Sequence, residues 1–270
     1  MKPLFSILVV CLNPGDKLKN TLQSILKQTF TDYEVIVKDG GSTDGSLDCI
    51  GELADCRIKQ VCKKDTGIYD AMNQAVLEAS GQYAYYLNCG DFFYDENVLA
   101  KMEKLICQNP AKHGIYYGNI FERLTGQEIY SNPKLDAFGC YRNVPCHQAC
   151  FYDRELLALH PFDTKYLVRA DYEQFLWCFF TKTLEEPVKF LYQDILIADY
   201  EGGGFSETKE NRKLSAKEHR EIVYQYMSRG QVLKYRAVMW ITLAPLRTKI
   251  AQNKWTAGIY NKMKELIYKK

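Results

Sequence analysis

Apolar strands alternate with amphipathic helices over the first hundred residues, and this alternation limits the possible folds of the chain more than any other feature. The strand at residues 5–10 is β-branched and apolar on both faces, as a central strand of a parallel sheet should be. The pattern therefore predicts an α/β fold with a mostly parallel, doubly wound sheet and helices on both faces. Strands are predicted at 5–10, 33–37, 58–62 and 83–87, and helices at 17–28, 47–53, 68–79 and 97–107.

The predicted strand that begins at Tyr83 runs directly into a polar cluster. Asn88, Gly90 and Asp91 follow the apolar run, so a carboxylate lies at the carboxyl end of a strand. Open α/β sheets bind their ligands at this edge. An Asn/Gly/Asp turn without a ligand is equally consistent with these residues alone.

A second polar loop, residues 38–46, follows the strand at 33–37. It combines Asp39 with two glycines, hydroxyl side chains and Asp44, which suits close approach of a nucleoside. The glycine spacing of dinucleotide-binding loops, the Gly-Lys-Ser/Thr of P-loops and the Gly-x-Ser-x-Gly of serine hydrolases are all missing from the sequence. We therefore expect a nucleotide site of another class.

Beyond Asp91 the pattern is less regular. Residues 135–146 read mostly as loop, and Gly202, Gly203 and Gly204 read as a hinge. Further strands are predicted at 114–121, 128–131, 147–152 and 189–198, with helices at 153–159 and 171–180.

The charge is distributed unevenly along the chain. Residues 212–270 carry 14 Lys/Arg and 3 Asp/Glu, whereas residues 1–211 carry 21 and 30. We therefore predict a domain at 1–211 and a basic, helical extension at 212–270. The apolar run at 237–246, with basic flanks and nearby tryptophans, suits an anionic membrane surface. A helical pair with a solvated basic face is the alternative.

Two features of the sequence predict where the protein works. No segment reaches the 18 to 20 apolar residues of a spanning helix, and no export signal is evident at the N-terminus. We expect a cytoplasmic protein, peripheral on the inner face of the cytoplasmic membrane if the extension binds lipid. No nucleic-acid-binding motif occurs, so nucleic acid is not an expected partner.

Four segments of the sequence carry a resemblance to a known family: SILVV (6–10), SILKQTF (24–30), EVIVKDGGSTDGS (34–46) and DTGIYDAMN (65–73). Together they resemble the family 2 glycosyltransferases, which have a GT-A fold. The resemblance is specific over residues 1–100 and patchier to about residue 206, and it implies a nucleotide-binding half at 1–100 and an acceptor half at 101–211. It is strongest to bacterial surface-polysaccharide members that carry Asn-x-Gly-Asp where Asp-x-Asp is usual.

The resemblance implies roles for the residues of the donor half. Asp39 corresponds to the carboxylate that binds the nucleotide base, and Asn13 and Asp65 lie near the base and ribose. Asp91 corresponds to the ligand of a divalent cation, Mn²⁺ or Mg²⁺, and Asn88 to a hydrogen-bond partner of the ribose or donor sugar. Asn88 and Gly90 replace the usual acids, so one carboxylate remains and weak metal binding is expected. Asp39 and Asn13 are also typical turn caps.

The general base is implied at Asp171. A positioned carboxylate can take the proton of an acceptor hydroxyl during attack, although an aspartate at a helix start is also favoured as a cap. Glu173, two residues later, is predicted to point elsewhere around the helix. His147 resembles a family element near the donor sugar or acceptor, and a buried core histidine is the alternative.

Two hypotheses for function follow. The first is an inverting glycosyltransferase that moves a sugar from a nucleotide diphosphate donor, a UDP-sugar, to a hydroxyl of a saccharide acceptor that is lipid-linked, in surface-polysaccharide synthesis. The second is a catalytically impaired, transferase-like binding module in a polysaccharide assembly complex. The replacement of acids at Asn88 and Gly90 favours the second.

Overall fold

The computed structural model describes residues 2–205 and 208–242, and within them nine strands form one sheet. The strands are Phe5–Cys11 (β1), Tyr33–Asp39 (β2), Ile58–Cys62 (β3), Tyr83–Tyr86 (β4), Phe92–Phe93 (β5), His113–Glu122 (β6), Gln127–Ile129 (β7), Cys150–Asp153 (β8) and Val188–Tyr200 (β9). In the first half, each predicted strand is present; a helix follows β1, β2 and β3 directly, and the short strand β5 comes between β4 and the next helix.

The sheet has two halves that differ in strand direction. Its order is β3-β2-β1-β4-β8-β6-β9-β5, with β7 paired to β6 outside this path. The pairs β3–β2, β2–β1 and β1–β4 are parallel, as the sequence pattern predicts. Strand β8 is antiparallel to both β4 and β6, and β6 is parallel to β9. The segment 83–91 therefore begins in the central strand β4 and leaves the sheet at the place where its two halves meet.

Helices follow the strands because their apolar residues recur at helical spacing. Leu18, Leu22 and Ile25 of the first helix are fully buried in the same core as β1 and β2. The helices are Asp16–Leu26 (α1), Asp48–Leu53 (α2), Ile68–Leu77 (α3), Val98–Gln108 (α4), Ala137–Arg142 (α5), Arg154–Leu159 (α6), Ala170–Trp177 (α7), Thr183–Glu185 (α8), Lys209–Tyr226 (α9) and Arg229–Ile241 (α10). A π-helical turn, Cys178–Lys182, joins α7 to α8.

Two local predictions were wrong, and one short strand was not predicted. The predicted loop at 135–146 contains α5, which Asp136 caps by accepting a 2.6 Å hydrogen bond from the Gly139 N–H. Residues 147–149 form a 3₁₀ turn before β8 rather than part of that strand. Strand β5 was not predicted, because two residues are too few to show a period.

The chain separates into two compact units, Met1–Ile222 and Val223–Lys270. The predicted domain boundary at residue 211 lies inside α9, whose first part belongs to the larger unit. Helix α10 includes residues 237–241 of the predicted apolar run; the rest of that run and Trp255 lie outside the described residues. Among the described residues, no helix is long and apolar enough to cross a membrane.

Candidate active site

A cavity of about 560 Å³ opens at the carboxyl ends of β1 and β4, where the sequence predicts a ligand site. Four of the six predicted site residues line it: Asp65, Asn88, Asp91 and Asp171. The cavity is also lined by the loop after β1, the start of α3, the 3₁₀ turn at His147 and residues 200–205. Residues distant in sequence are thus brought together at one edge of the sheet.

Asn13 and Asp39 lie on neighbouring loops and are not among the residues that line the cavity. The buried Asp39 carboxylate accepts hydrogen bonds from the Gly41 and Ser42 backbone N–H groups at 2.9–3.1 Å and from the Ser42 hydroxyl. The Asn13 Oδ1 accepts from the Thr43 N–H at 2.8 Å. In this structure both side chains hold the 40–43 loop, and their nucleotide contacts stay predictions.

Asp65 lies beside this loop and is paired with a buried cation. The Lys38 ammonium, whose side chain is fully buried, donates to the Asp65 carboxylate. A Cβ at Gly40 would lie 2.8 Å from the Asp65 Oδ2 and 3.5 Å from the Leu12 Cδ1, so any side chain there would crowd Asp65. The absence of a side chain at Gly40 keeps Asp65 in place at the cavity wall.

Asp91 is 3% exposed, and its two oxygens already have backbone and side-chain donors. The Glu201 N–H donates to Oδ1 at 2.8 Å and the Gln148 side chain donates to Oδ2 at 3.0 Å. Burial raises the pKa of Asp91, while these two hydrogen bonds act in the opposite direction. Each carboxylate oxygen keeps a second lone pair, so Asp91 can still bind a cation or accept another hydrogen bond from a ligand in the cavity.

Gly90 fits a position that other residues would strain. Its φ is +101°, in a region that favours glycine, and a Cβ would lie 2.6 Å from the Glu201 Oε2. The same Glu201 carboxylate accepts two hydrogen bonds from the Lys17 ammonium, at 2.6 and 2.8 Å. A second carboxylate therefore stands next to Asp91, on a segment far away in sequence.

Asn88 supplies the test of whether a divalent cation fits here. Its Nδ2 lies 3.3 Å from the His147 Nε2, but its Oδ1 is buried and has no hydrogen-bond partner among the described residues. A buried carbonyl oxygen without a partner is costly unless a ligand satisfies it. Asn88, Asp91 and Glu201 all line the cavity and carry oxygen donors of the kind that Mg²⁺ and Mn²⁺ prefer, so the chemistry of the residues present suits such an ion.

Asp171 lies at the start of α7 and is held from two sides. The Tyr69 hydroxyl donates to Oδ1 at 2.9 Å, and the His147 Nδ1 lies 3.2 Å from Oδ2. Burial alone would raise the pKa of Asp171, but the hydrogen bond and charge of His147, with the Tyr69 hydrogen bond, lower it below its ordinary value. The carboxylate is thus kept ionised, and its side chain remains 23% exposed.

A buried glutamate fixes the backbone that leads to Asp171. The Glu218 carboxylate, on α9, accepts hydrogen bonds at 2.8–3.0 Å from the N–H groups of Leu167, Val168 and Arg169. These three groups precede α7 and lack partners within it. Glu173, the rival candidate for the base, is buried against His160 at 3.0 Å and does not line the cavity.

The family model for "Glycosyl transferase family 2" matches residues 6–157, which is more than half of the chain. The chain belongs to glycosyltransferase family 2. The "PGL/p-HBAD biosynthesis glycosyltransferase" of Mycobacterium bovis is 34% identical over 211 residues, covering 76% of this chain and 80% of that protein.

Solved structures of other glycosyltransferases share the fold. S. aureus TarS 1-349 in complex with UDP superimposes with a TM-score of 0.63 at 17% identity, covering 87% of this chain and 69% of that one. A mannosyltransferase from Pyrobaculum calidifontis, in complex with GDP-Man and Mn²⁺, gives a TM-score of 0.64 at 16% identity, covering 98% and 81%. The predicted GT-A fold is confirmed.

For this family 2 glycosyltransferase, sequence reasoning missed Tyr69, Glu201 and Glu218. Tyr69 falls inside the DTGIYDAMN motif, so the motif pointed to the segment but not to the hydroxyl. Glu201 directly precedes the three glycines, which was the available signal for it. Glu218 falls within the predicted basic extension at 212–270, and no local pattern in the sequence indicates that an acidic residue there is buried.

One group of three potential metal ligands lies elsewhere in the described residues, formed by His113, Asp153 and Glu155. The buried His113 already contacts Asp153 at 2.9 Å through Nδ1 and Glu186 at 3.0 Å through Nε2. With both ring nitrogens in use, the group is explained as a buried polar network that joins the ends of β6 and β8. None of its members lines the cavity.

Proposed function

We propose that this chain is an inverting glycosyltransferase that moves a sugar from a UDP-sugar to a hydroxyl of a lipid-linked saccharide. One observation carries the proposal: Asp91, which follows β4, and Asp171, at the start of α7, line the same cavity although they are far apart in sequence. A relative whose structure contains UDP supports the choice of donor. We propose residues 1–100 as the nucleotide-binding half and residues 101–211 as the acceptor half.

The proposed reaction is a single displacement at the anomeric carbon. The acceptor oxygen forms a bond to that carbon while the bond from the carbon to the diphosphate oxygen breaks, so the configuration inverts. The hydroxyl proton passes to the Asp171 carboxylate, and the nucleoside diphosphate leaves with the bonding pair. His147 and Tyr69 orient Asp171, and their hydrogen bonds keep it in the ionised form that can accept a proton.

On the donor side we propose Asp39, Asn13 and Asp65 for the base and ribose, and Asn88 for the ribose or donor sugar. A divalent cation, Mn²⁺ or Mg²⁺, would be held by Asp91, with the Asn88 Oδ1 and Glu201 as further donors. Such an ion, when bound, offsets the negative charge that develops on the departing diphosphate. Mn²⁺ accompanies GDP-Man in the structure of the Pyrobaculum mannosyltransferase.

We propose that the protein works at the cytoplasmic face of the cytoplasmic membrane, bound peripherally to anionic lipid. Two features support this. Residues 212–270 carry 14 basic and 3 acidic side chains. Helix α10 exposes Leu233, Trp240 and Ile241 to 68–78%. A basic helix with an exposed apolar stripe binds anionic bilayers through charge and apolar burial together.

The decisive experiment is a screen of nucleotide sugars for hydrolysis and transfer, with Mn²⁺ present and release of nucleoside diphosphate as the readout. One donor should be turned over above the background rate. The variant Asp171→Asn should lower kcat for transfer by roughly 10²–10⁴, as expected when a general base is lost. Turnover within tenfold of wild type in a folded Asp171→Asn protein would show that the base lies elsewhere.

The binding-module alternative retains one observation in its favour, since both Asp91 oxygens already accept hydrogen bonds. Calorimetry with UDP separates the two functions. The transferase should bind UDP more tightly when Mn²⁺ is present, and it should then turn over a donor. A protein that binds UDP without metal linkage and hydrolyses no donor would be a binding module.

A further inference from the structure

Apolar side chains are exposed around the mouth of the candidate active site. Leu12, Ile68, Leu167 and Phe205 all line the cavity, and their exposed fractions are 61%, 40%, 55% and 57%. Single exposed leucines are common on protein surfaces and need no explanation. Several that converge on one opening are the usual sign of a binding surface for an apolar ligand.

Two of these residues are next in sequence to residues around the proposed base. Ile68 precedes Tyr69, and Leu167 precedes Val168; the Tyr69 hydroxyl lies 2.9 Å from both the Val168 carbonyl oxygen and the Asp171 carboxylate. Both residues are therefore next to the segments that hold Asp171. They lie on the side of the cavity where the acceptor hydroxyl must arrive if Asp171 is the base.

The fold does not require Leu167 to face outward. Its backbone N–H is fixed by Glu218 at 2.8 Å, and its neighbours Tyr166 and Val168 are 2% and 8% exposed. Only the Leu167 side chain is left half exposed, at the cavity mouth. A polar side chain at position 167 would allow the same backbone hydrogen bond and would not expose apolar surface to water. The leucine at this opening is therefore explained better by an apolar ligand than by the fold.

Charged side chains line the cavity as well as apolar ones. Leu12 belongs to the donor side, since its Cδ1 lies 3.5 Å from the Cβ position of Gly40, next to Asp65. That side also carries Lys17, Glu201 and Asp91, which suit a charged diphosphate. Ile68, Leu167 and Phe205, which we call the apolar collar, provide no charge and no side-chain hydrogen bond.

We propose that the apolar collar binds an apolar aglycone of the acceptor, an alkyl chain or an aromatic ring, close to the hydroxyl that is glycosylated. The inference rests on the proposed function and deepens it by naming the chemical class of the acceptor. The acceptor is amphiphilic: its hydroxyl reaches Asp171 while its apolar part covers Ile68 and Leu167. Burial of that part removes apolar surface from water on both partners.

The test compares glycosides that share one sugar and differ only in the aglycone: methyl, n-octyl and phenyl. A panel of common hexosides and N-acetylhexosaminides is used below micelle-forming concentrations, and both binding to the UDP complex and transfer are measured. Wild type should prefer the octyl or phenyl glycoside over the methyl glycoside by roughly tenfold to a hundredfold in Kd and in kcat/KM. An octyl preference indicates a lipid chain, and a phenyl preference an aromatic aglycone.

In the variants Leu167→Ser and Ile68→Ser, the ratio of kcat/KM for the octyl or phenyl glycoside to kcat/KM for the methyl glycoside should fall close to one, and so should the corresponding ratio of affinities. The methyl glycoside is the internal reference, so a general loss of activity cancels from the ratio. Leu184→Ser is the matched control, because Leu184 is 86% exposed and does not line the cavity. It should keep the full preference.

Two results would overturn the inference. One is a wild-type protein that binds no glycoside of the panel better when it carries an octyl or phenyl group. The other is a preference that survives unchanged in the double variant of Leu167 and Ile68. Donor hydrolysis without acceptor, measured on the same preparation, tests the proposed function separately: if it proceeds while the aglycone has no effect, only the inference fails.

Discussion

At the scale of single residues, Asp171 shows how burial and hydrogen bonding compete. Transfer of a carboxylate from water into protein favours its neutral form, yet the pKa of Asp171 is lowered because His147 and Tyr69 stabilise the charged form. A base with a low pKa is a weaker proton acceptor but is fully ionised at neutral pH. Its position then has to compensate for its low basicity, which makes the two partners part of the function.

The first prediction concerns the pH dependence of this base. The reaction needs ionised Asp171, so kcat/KM should fall as the pH drops through the pKa of Asp171, which lies below its ordinary value. His147→Ala removes the largest lowering contribution, so the acidic limb of the profile should move to higher pH. Tyr69→Phe should move it in the same direction by less. Because the position of the limb is read rather than the rate, a general loss of activity does not mask the effect. An unmoved limb in His147→Ala would show that another group is titrating.

The second prediction concerns Gly90, where the backbone rather than a side chain sets the requirement. With φ at +101°, alanine is strained, and its methyl group would also press on Glu201, which is paired with Lys17. The carboxylate can move aside, so most of the cost is conformational, and we expect Gly90→Ala to lower the free energy of unfolding by about 1–2 kcal/mol. Urea denaturation measures the change.

Gly51 is the matched control for Gly90. It lies in α2 with open space at its Cβ position and without a positive φ. Gly51→Ala should leave stability unchanged or raise it by up to about 1 kcal/mol, since alanine favours helix. If both variants behaved alike, the conformational explanation for Gly90 would be wrong.

At the scale of secondary structure, the contact between α9 and the start of α7 links the C-terminal part of the larger unit to the proposed chemistry. Helix α7 begins at Ala170 without a side-chain cap of its own. Glu218 takes over the role of the cap from a helix some fifty residues later, and the negative charge also suits the positive end of the α7 dipole. The position of Asp171 therefore depends on α9.

The third prediction tests this dependence. Glu218→Ala leaves three N–H groups, one buried and two partly buried, without their acceptor, so the free energy of unfolding should fall by roughly 2–4 kcal/mol. Transfer should also slow at temperatures where the variant is folded, because the Asp171 segment loosens. Glu221→Ala, three residues away on the same helix, is the control: among the described residues Glu221 accepts a long hydrogen bond, 3.4 Å, from the Tyr166 hydroxyl. It should change stability by less than about 0.5 kcal/mol. Equal effects of the two variants would contradict the capping role.

The elements also show what the sequence could predict and why. Strands β1, β2 and β4 are buried and largely apolar, and the helices between the strands carry apolar residues at helical spacing, so the type of these elements and their alternation along the chain could be predicted. In the second half, β8 runs antiparallel between β4 and β6, and that pairing depends on contacts between distant residues. Nothing in the local pattern of residues 147–153 encodes it.

The same distinction applies to the site. Asp65, Asn88, Asp91 and Asp171 could be predicted because each lies in a segment that resembles the family. Glu201 and Glu218 could not, since their roles arise from backbone contacts with Asp91 and with residues 167–169. Asp39 and Asn13 are predicted to contact the nucleotide, and that stays a prediction; their hydrogen bonds to the 40–43 loop are a second role that the sequence pattern also allows, as turn caps.

At the scale of the whole molecule, charge and apolar exposure coincide in the second unit. Within its described residues, Leu233, Ala237, Trp240 and Ile241 of α10 follow one another at helical spacing, and all are exposed. Lys234 and Arg236 lie between them in sequence. Water is a poor environment for this stripe, whereas the interface of an anionic bilayer suits both its apolar and its basic side chains.

The fourth prediction follows from this arrangement. The protein should sediment with vesicles that contain anionic phospholipid, bind vesicles of phosphatidylcholine alone much more weakly, and be released by added salt, because the electrostatic attraction is screened. The double variant Leu233→Ser, Trp240→Ser should bind anionic vesicles at least tenfold more weakly, since two apolar side chains no longer enter the interface. Leu184→Ser is the control: Leu184 lies in the larger unit and is more exposed than Leu233, and the variant should bind as wild type does. If the double variant bound as tightly as wild type, the stripe on α10 would have another role, and the basic residues alone would account for any attraction to lipid.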